Sequence, residues 1–230
     1  MSASQSANMS FAKHVLKFNK NLRLDDTLPE GVDVLYPYHN PVAVKLSTIF
    51  YNKYYNDNNR RTLIMGINPG RLGGGVTGVP FTDPIKLETF CNIPNTLTKK
   101  AELSADFIYK MITAYGGPEL FYHNFYITSI SPLGFTKDGK NLNYYDIREL
   151  QEDIHQFILA CINKQLTFGI NREVCYCLGE GQNFKFLSKL NGRHKFFNTI
   201  IPLPHPRFIM QYKRKKVPDY IDLYLRRLNS

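Results

Sequence analysis

Four short apolar runs constrain the fold of this chain more than any other feature of its sequence. They read RTLIMGIN at 61–68, FYITSIS at 125–131, REVCYCLG at 172–179 and FFNTIIPLP at 196–204. Apolar residues occupy consecutive positions in these runs, as in strands that are buried on both faces of a parallel sheet. Stretches with helical patterns lie between the runs. This order predicts an α/β fold, a three-layer α/β/α arrangement around a four-stranded, mostly parallel central sheet.

The helices are predicted from capping residues and from apolar spacing. Apolar residues at spacings of three and four from Ile147 to Ile162 indicate one long helix. Ser104 and Gly116 are residue types that cap and stop a shorter helix. Residues 1–60 are predicted to form a helical N-terminal portion of a single domain that spans residues 1–230. Helices are predicted from the segments at 10–22, 41–55, 181–190 and 217–228.

The chain is strongly basic, with 29 Lys and Arg residues against 19 Asp and Glu residues and a net charge of +10. Such an excess favours a polyanionic partner. Nucleic acid is favoured over a membrane surface, because no run reaches the roughly 18 apolar residues of a spanning helix. The N-terminal residues lack the apolar core of a secretory signal. We therefore expect a cytoplasmic protein, nucleoid-associated if its source is bacterial.

The cysteines give no sign of a metal site. Cys91, Cys161, Cys175 and Cys177 form no CxxC pair and have no His/Cys spacing typical of bound zinc. Cys175 and Cys177 alternate within the third apolar run, so both should point to one face of a strand. We expect buried, reduced thiols and no metal.

The first apolar run leads into a glycine-rich stretch, GINPGRLGGGVTGVPFTD, at 66–83. It is not a P-loop, because no Gly-Lys-Ser/Thr triplet ends it, and Pro69, Pro80 and Pro84 interrupt the helix start that a dinucleotide fingerprint needs. It could simply turn a corner. However, Asn68 at a strand end and Phe81 on the same loop could together form a pocket for a planar polar base.

The stretch from Gly66 to Phe81 resembles, without a gap, the first active-site motif of the single-strand-selective monofunctional uracil-DNA glycosylases. Two shorter segments, ISPL at 130–133 and PLPHPR at 202–207, resemble further motifs of the same superfamily in the right order. The resemblance implies a monomeric, monofunctional DNA glycosylase that flips deaminated bases out of DNA and hydrolyses the N-glycosidic bond. It implies base excision repair, with neither metal nor cofactor. Two alternatives are a non-catalytic nucleic-acid-binding module and a nucleotide-binding enzyme.

The resemblance also implies residue roles. Asn68 matches the asparagine that positions the attacking water, and His205 matches the histidine that donates a hydrogen bond to the leaving base. Phe81 matches the aromatic residue that stacks on the flipped base. Gly66 and the backbone of Ile67 line the pocket. A further position, Gly70, carries a bulky residue in some superfamily members, so the pocket should be open on that side.

Two departures from the family pattern bear on specificity and on DNA binding. Ser129 replaces the family's base-reading asparagine, which makes hypoxanthine and xanthine candidate substrates beside uracil, and Asn124 is a less favoured alternative reader. The family's wedge segment is also altered: Arg207, or the apolar stretch Phe208–Ile209–Met210, could insert into the DNA stack. A basic run should lie beside phosphates, unless it is a solvated cluster: Lys213, Arg214, Lys215 and Lys216.

Overall fold

The structure is a computed structural model that describes residues 9–229. Its strands, in chain order, are β1 (Val32–Leu35), β2 (Arg61–Gly66), β3 (Phe125–Ser129), β4 (Gly134–Lys137), β5 (Lys140–Leu142), β6 (Ile170–Leu178) and β7 (Thr199–Leu203). The central sheet has the order β3-β2-β6-β7, and all three of its pairings are parallel. Helices flank this sheet, so the predicted three-layer α/β/α fold is confirmed.

Eleven α-helices occur in the described residues. They are α1 (Phe11–Lys20), α2 (Pro41–Tyr54), α3 (Gly74–Thr77), α4 (Pro84–Thr89), α5 (Leu103–Tyr115), α6 (Pro118–Asn124), α7 (Arg148–Asp153), α8 (His155–Leu166), α9 (Gln182–His194), α10 (Pro206–Tyr212) and α11 (Val217–Leu228).

Two helix predictions need correction. The long helix predicted from the apolar spacing is broken at Ile154, which separates α7 from α8. Ser104 does not cap α5, because the helix already begins at Leu103 and the Ser104 side chain is buried within its first turn. The predicted stop at Gly116 agrees with the structure, since this residue ends α5 with a φ of +121° that few other residues adopt.

A second sheet was not predicted. It is antiparallel with the order β1-β4-β5, so the N-terminal portion contains a strand as well as helices. β4 and β5 form a hairpin whose turn residues, Asp138 and Gly139, have φ values of +50° and +68°. Two left-handed residues match the right-handed twist of the flanking strands. The hairpin brings its last strand beside the carboxyl end of β2, where it contributes to the candidate site.

One hydrophobic cluster extends through the described chain from Phe11 to Leu228 and joins the N-terminal helices to the sheet. The four cysteines are buried and unpaired, as predicted. Within residues 9–229, no helix combines the length and the apolar character that crossing a membrane requires.

Candidate active site

A crevice of about 530 Å³ opens at the carboxyl ends of β2, β6 and β7. Its lining includes Ile67 after β2, Gly179 after β6 and His205 after β7. In open parallel sheets, ligands bind at this edge. The backbone between β2 and β3 stays paired at the base of the crevice, because the N–H of Ser131 donates to the carbonyl of Ile67 at 3.1 Å. The sheet therefore gives the site a rigid floor.

His205 lines the crevice immediately before the first turn of α10. It is the N-cap residue, and its Nδ1 atom accepts a hydrogen bond from the N–H of Arg207 at 3.2 Å. Burial, together with the nearby Arg207 charge, lowers the pKa of His205 to about 4. The ring is therefore neutral at neutral pH, and because Nδ1 accepts, the proton lies on Nε2. His205 thus offers one N–H donor.

Asn68 follows β2, and both ends of its side-chain amide are hydrogen-bonded. Its Nδ2 donates to the carbonyl of Leu142 at 3.1 Å, and its Oδ1 accepts from the N–H of Tyr144 at 3.0 Å. Asn68 therefore does hold the loop backbone. The same bonds fix the direction of its side-chain carbonyl, which keeps a second lone pair.

Phe81 lies against the strand end with its ring directly on Gly66. A Cβ atom at position 66 would lie 2.5 Å from the ring Cζ, so only glycine permits this contact. The centroids of the Phe81 and His205 rings are 6.4 Å apart, and the rings are tilted by 50°. Phe81 has a φ of +53°, a strained conformation for a bulky residue. Such strain is typical of functional positions.

Thr77 holds the Phe81 loop in this conformation. Its buried hydroxyl donates to the carbonyl of Thr82 at 2.7 Å and accepts from the N–H of Val79 at 3.1 Å. Sequence reasoning missed this residue. The only signal was its position within the TGVPF segment at 77–81.

Ser129 ends β3 directly opposite Gly66 in the sheet register. The side chain is buried, and its Oγ lies 3.5 Å from the point where a Cβ of Gly66 would stand. No hydrogen-bond partner of this hydroxyl occurs in the described part of the chain. Asn124 lies before β3, at the opposite edge of the sheet and about 16 Å away, and its amide donates to the Tyr115 hydroxyl at 3.1 Å. Asn124 therefore cannot reach this pocket.

The comparisons with known proteins agree with this geometry. The family model described as the uracil DNA glycosylase superfamily matches residues 52–229, well over half of the chain. The chain belongs to the uracil-DNA glycosylase superfamily. A crystal structure of wild-type Pedobacter heparinus SMUG2 shares 49% sequence identity with it, with a TM-score of 0.94 over 96% of this chain and 97% of that chain. No curated protein matches the chain.

Membership of the superfamily supports a uracil-DNA glycosylase function in general terms, that is, a DNA glycosylase of the hydrolase class. The predicted resemblance is thereby confirmed. The motif residues Asn68, Phe81, Ser129 and His205 all lie at one edge of the central sheet.

The space that a side chain at Gly70 would enter is already occupied in the structure. A Cβ atom there would lie 3.2 Å from Oε1 of Glu102 and 3.3 Å from Nδ2 of Asn141. Oε2 of Glu102 occupies the space that a side chain at position 73 would need. A Cβ atom on Gly73 would lie 2.0 Å from this oxygen. The carboxyl group of Glu102 therefore packs into the glycine loop itself.

The Glu102 carboxyl group, packed into the glycine loop, has a raised pKa. Its Oε2 atom is buried without a hydrogen-bond partner among residues 9–229. Burial, and then the nearby Asp83 and Asp106 carboxylates, raise the pKa of Glu102 to about 7, and the Arg207 charge opposes this rise. No local sequence pattern indicates that a residue at the start of α5 enters this site.

We expect Glu102→Gln to remove a pH dependence of stability. The wild-type pKa rises from 4.5 in the unfolded chain to about 7 in the folded one. The stabilising contribution of the neutral carboxyl is therefore complete below pH 4.5 and is lost as the pH rises through 7. Glutamine is neutral throughout, so the variant should be more stable than wild type by about 1–3 kcal/mol near pH 8 and similar near pH 4. Urea unfolding at the two pH values measures this.

The control for this experiment is Glu149→Gln, at an exposed glutamate on α7. It should keep the pH dependence of the wild type. If the stability of Glu102→Gln depended on pH as much as that of wild type, the pKa of the Glu102 carboxyl would be the same in the folded and unfolded chain.

The predicted DNA-binding residues divide by exposure. Arg207 and Phe208 are exposed on α10. The ring centroids of Phe208 and Tyr212 are 5.6 Å apart. Ile209 is fully buried and Met210 nearly so, because they lie on the face of α10 that packs into the core. The prediction that these two insert into DNA is therefore corrected. The basic run is exposed, without a salt bridge in the described chain: Lys213, Arg214, Lys215 and Lys216.

Proposed function

We propose that this protein is a monofunctional DNA glycosylase that flips deaminated bases out of DNA and excises them by hydrolysis. Uracil is the first substrate, with hypoxanthine and xanthine as further candidates. One observation carries the proposal: Asn68, Phe81 and a neutral His205 meet at one edge of the sheet, where the Phe81 ring lies directly on Gly66. A flat base can stack on the Phe81 ring and receive the Nε2–H bond of His205 at its rim.

The residues suit cleavage of an N-glycosidic bond. As the bond between C1′ and the base nitrogen breaks, its electron pair goes to the base, and the sugar gains oxocarbenium character. His205 stabilises the negative charge that gathers on a base oxygen, from a hydrogen bond that is already oriented. The carbonyl of Asn68 accepts a hydrogen bond from water and aims its oxygen at C1′. The new C1′–O bond forms, and the proton of the water leaves with the base or to solvent.

The DNA contacts and the monofunctional character complete the proposal. Arg207 or Phe208 fills the gap that the flipped base leaves, and the basic run at 213–216 contacts phosphates. No lysine lines the part of the crevice that the structure describes. The crevice therefore offers no lysine amine to attack the sugar, the step that precedes strand cleavage. We further propose that the enzyme acts as a monomer and uses neither a metal nor a cofactor.

We expect Ser129→Ala to change base preference and not DNA affinity. The unpaired hydroxyl beside Gly66 faces the flipped base, and one lost hydrogen bond of about 0.5–1.5 kcal/mol corresponds to a change of about 2- to 10-fold. The ratio of uracil release to xanthine release should shift by that factor, while DNA binding changes less than about twofold. The matched control is Ser131→Ala. The hydroxyl of Ser131 already donates a hydrogen bond to the Leu133 carbonyl at 2.7 Å. An unchanged ratio in Ser129→Ala would place this residue outside the pocket.

The experiment that tests the proposed function is base release from matched oligonucleotides. Each carries one uracil, hypoxanthine or xanthine and is assayed single-stranded and paired. Release that leaves an intact strand with an abasic site supports the monofunctional glycosylase. DNA binding without release of any base would instead indicate a non-catalytic nucleic-acid-binding module. Inhibition by a free nucleotide, with no release, would indicate a nucleotide-binding enzyme.

A further inference from the structure

A second groove, of about 570 Å³, lies between α9 and the helix pair α7–α8. It begins where the catalytic crevice ends, because Tyr145 and Gln182 line both. None of the sequence motifs extends into it. We call it the side groove.

The side groove leads away from the reacting edge of the sheet. α9 connects the parallel strands β6 and β7, so it runs back from their carboxyl ends toward their amino ends. Lys185, Lys189 and Arg193 are spaced by four residues along α9, and all three line the groove. They share one helix face over about 12 Å. A row of positive charge therefore starts beside the crevice and continues down the side of the molecule.

These three cations have no evident structural use. All are exposed, and none forms a salt bridge within residues 9–229. Like charges four residues apart weaken a helix slightly. Glu152 is the one carboxylate among the groove residues described, and it is paired with Arg148 at 2.8 Å. The groove thus presents uncompensated positive charge, which suits a polyanion.

Aromatic rings accompany the charges. Tyr145 and Phe186 are half-buried at the groove, and the ring of Phe186 contacts Tyr144 edge-on at 5.1 Å. His155 adds a third ring, 6.3 Å from Phe186. Cations that follow a backbone, interleaved with rings on which bases stack, are the features of single-strand binding surfaces.

We propose that the side groove binds the single-stranded DNA that flanks the damaged base. The proposal rests on the proposed function, since it assigns the groove to the same DNA strand. Duplex DNA is stiff over about 150 base pairs, so a duplex seated on the crevice cannot turn down the side of α9 without the energetic cost of bending. A single strand can, and a groove between two helices accommodates only one strand. The enzyme therefore has a longer site on single strands than on duplexes.

The test compares long and short uracil-containing single strands. The groove variant is K185A/K189A/R193A, and the matched control is K13A/K17A/K20A, which removes three exposed charges from α1 outside the groove. With oligonucleotides of about 25 nucleotides, the groove variant should bind about 10-fold more weakly than wild type. The slope of the logarithm of its binding constant against the logarithm of the salt concentration should be smaller in magnitude by about 2. With strands of about 5 nucleotides, and with duplexes, binding and base release should match wild type.

The outcomes separate this inference from the proposed function. An equal loss in the control variant, or an equal loss on short and long strands, would overturn the side-groove assignment and leave only a general charge effect. A loss confined to duplex DNA would overturn it in favour of a duplex contact. If the wild type releases no base, the proposed function fails, but the dependence of binding on strand length still decides the role of the groove.

Discussion

His205→Asn should leave the protein folded and slow base release by about 100- to 1000-fold, the usual cost of losing one hydrogen-bond donor to a developing anion. Asparagine is among the best N-cap residues, so its side-chain oxygen can replace Nδ1 as the acceptor for the Arg207 N–H. The Nε2–H, on the other side of the ring from Nδ1, has no substitute in the shorter side chain. The substitution thus separates the capping role of His205 from its proposed catalytic role.

Single-turnover release of uracil, with thermal unfolding alongside, measures both roles. The effect should appear in the rate of the chemical step, with DNA affinity close to wild type. The control is His123→Asn, at an exposed histidine at the end of α6 on the opposite edge of the sheet. Release by His205→Asn at the wild-type rate would remove His205 from the mechanism. A large loss of thermal stability would instead show that asparagine fails as the cap.

The central sheet could be predicted because its strands are buried on both faces, which gives each of them a recognisable apolar run. Parallel strands place their carboxyl ends together, so the sequence also indicated that Asn68 and His205 share one edge. The hairpin of β4 and β5 was missed because its strands are short, and β5 is largely exposed. The Asp138–Gly139 pair was nevertheless a usable turn signal.

The contacts that complete the site could not be predicted in the same way. Glu102 reaches Gly73 only because α5 packs beside the glycine loop, and no local pattern specifies that approach. The tautomer of His205 depends on the geometry of the following helical turn. The exposure of Phe208 and the burial of Ile209 depend on which face of α10 meets the core. Burial within a short, amphipathic helix is a tertiary property.

Arg61→Met should destabilise the fold by about 1–3 kcal/mol, the range for leaving buried polar groups without their hydrogen-bond donor. Arg61 is the first residue of β2, and its side chain is completely buried. Its guanidinium forms two hydrogen bonds of 2.8 Å with the carboxylate of Asp57. It lies 4.7 Å from the ring centroids of both Phe11 and Tyr55. The remaining donors bond to backbone carbonyls: Tyr122 at 2.7 Å, Asn59 at 3.2 Å and Tyr54 at 3.3 Å.

These contacts explain why we do not expect methionine, which is shorter and has no hydrogen-bond donor, to replace Arg61. The substitution leaves the Asp57 carboxylate without its ion partner and the buried carbonyl of Tyr122 without this donor. It also removes the cation between two aromatic rings, one on α1 and one just after α2. The N-terminal helices should therefore loosen from the sheet before the edge that carries Asn68 and His205 is affected.

Urea unfolding at equilibrium measures the change, and Arg60→Met is the matched control. Arg60 is the exposed neighbour of Arg61, and its replacement by methionine should lower the free energy of unfolding by less than about 0.5 kcal/mol. Arg61→Lys keeps the charge but loses the planar fork, so its stability should fall between those of wild type and Arg61→Met. The combination D57N/R61M should be less destabilised than the sum of its single changes, because the pair is removed together. If Arg61→Met proved as stable as Arg60→Met, this buried guanidinium would contribute nothing to the attachment of the N-terminal helices.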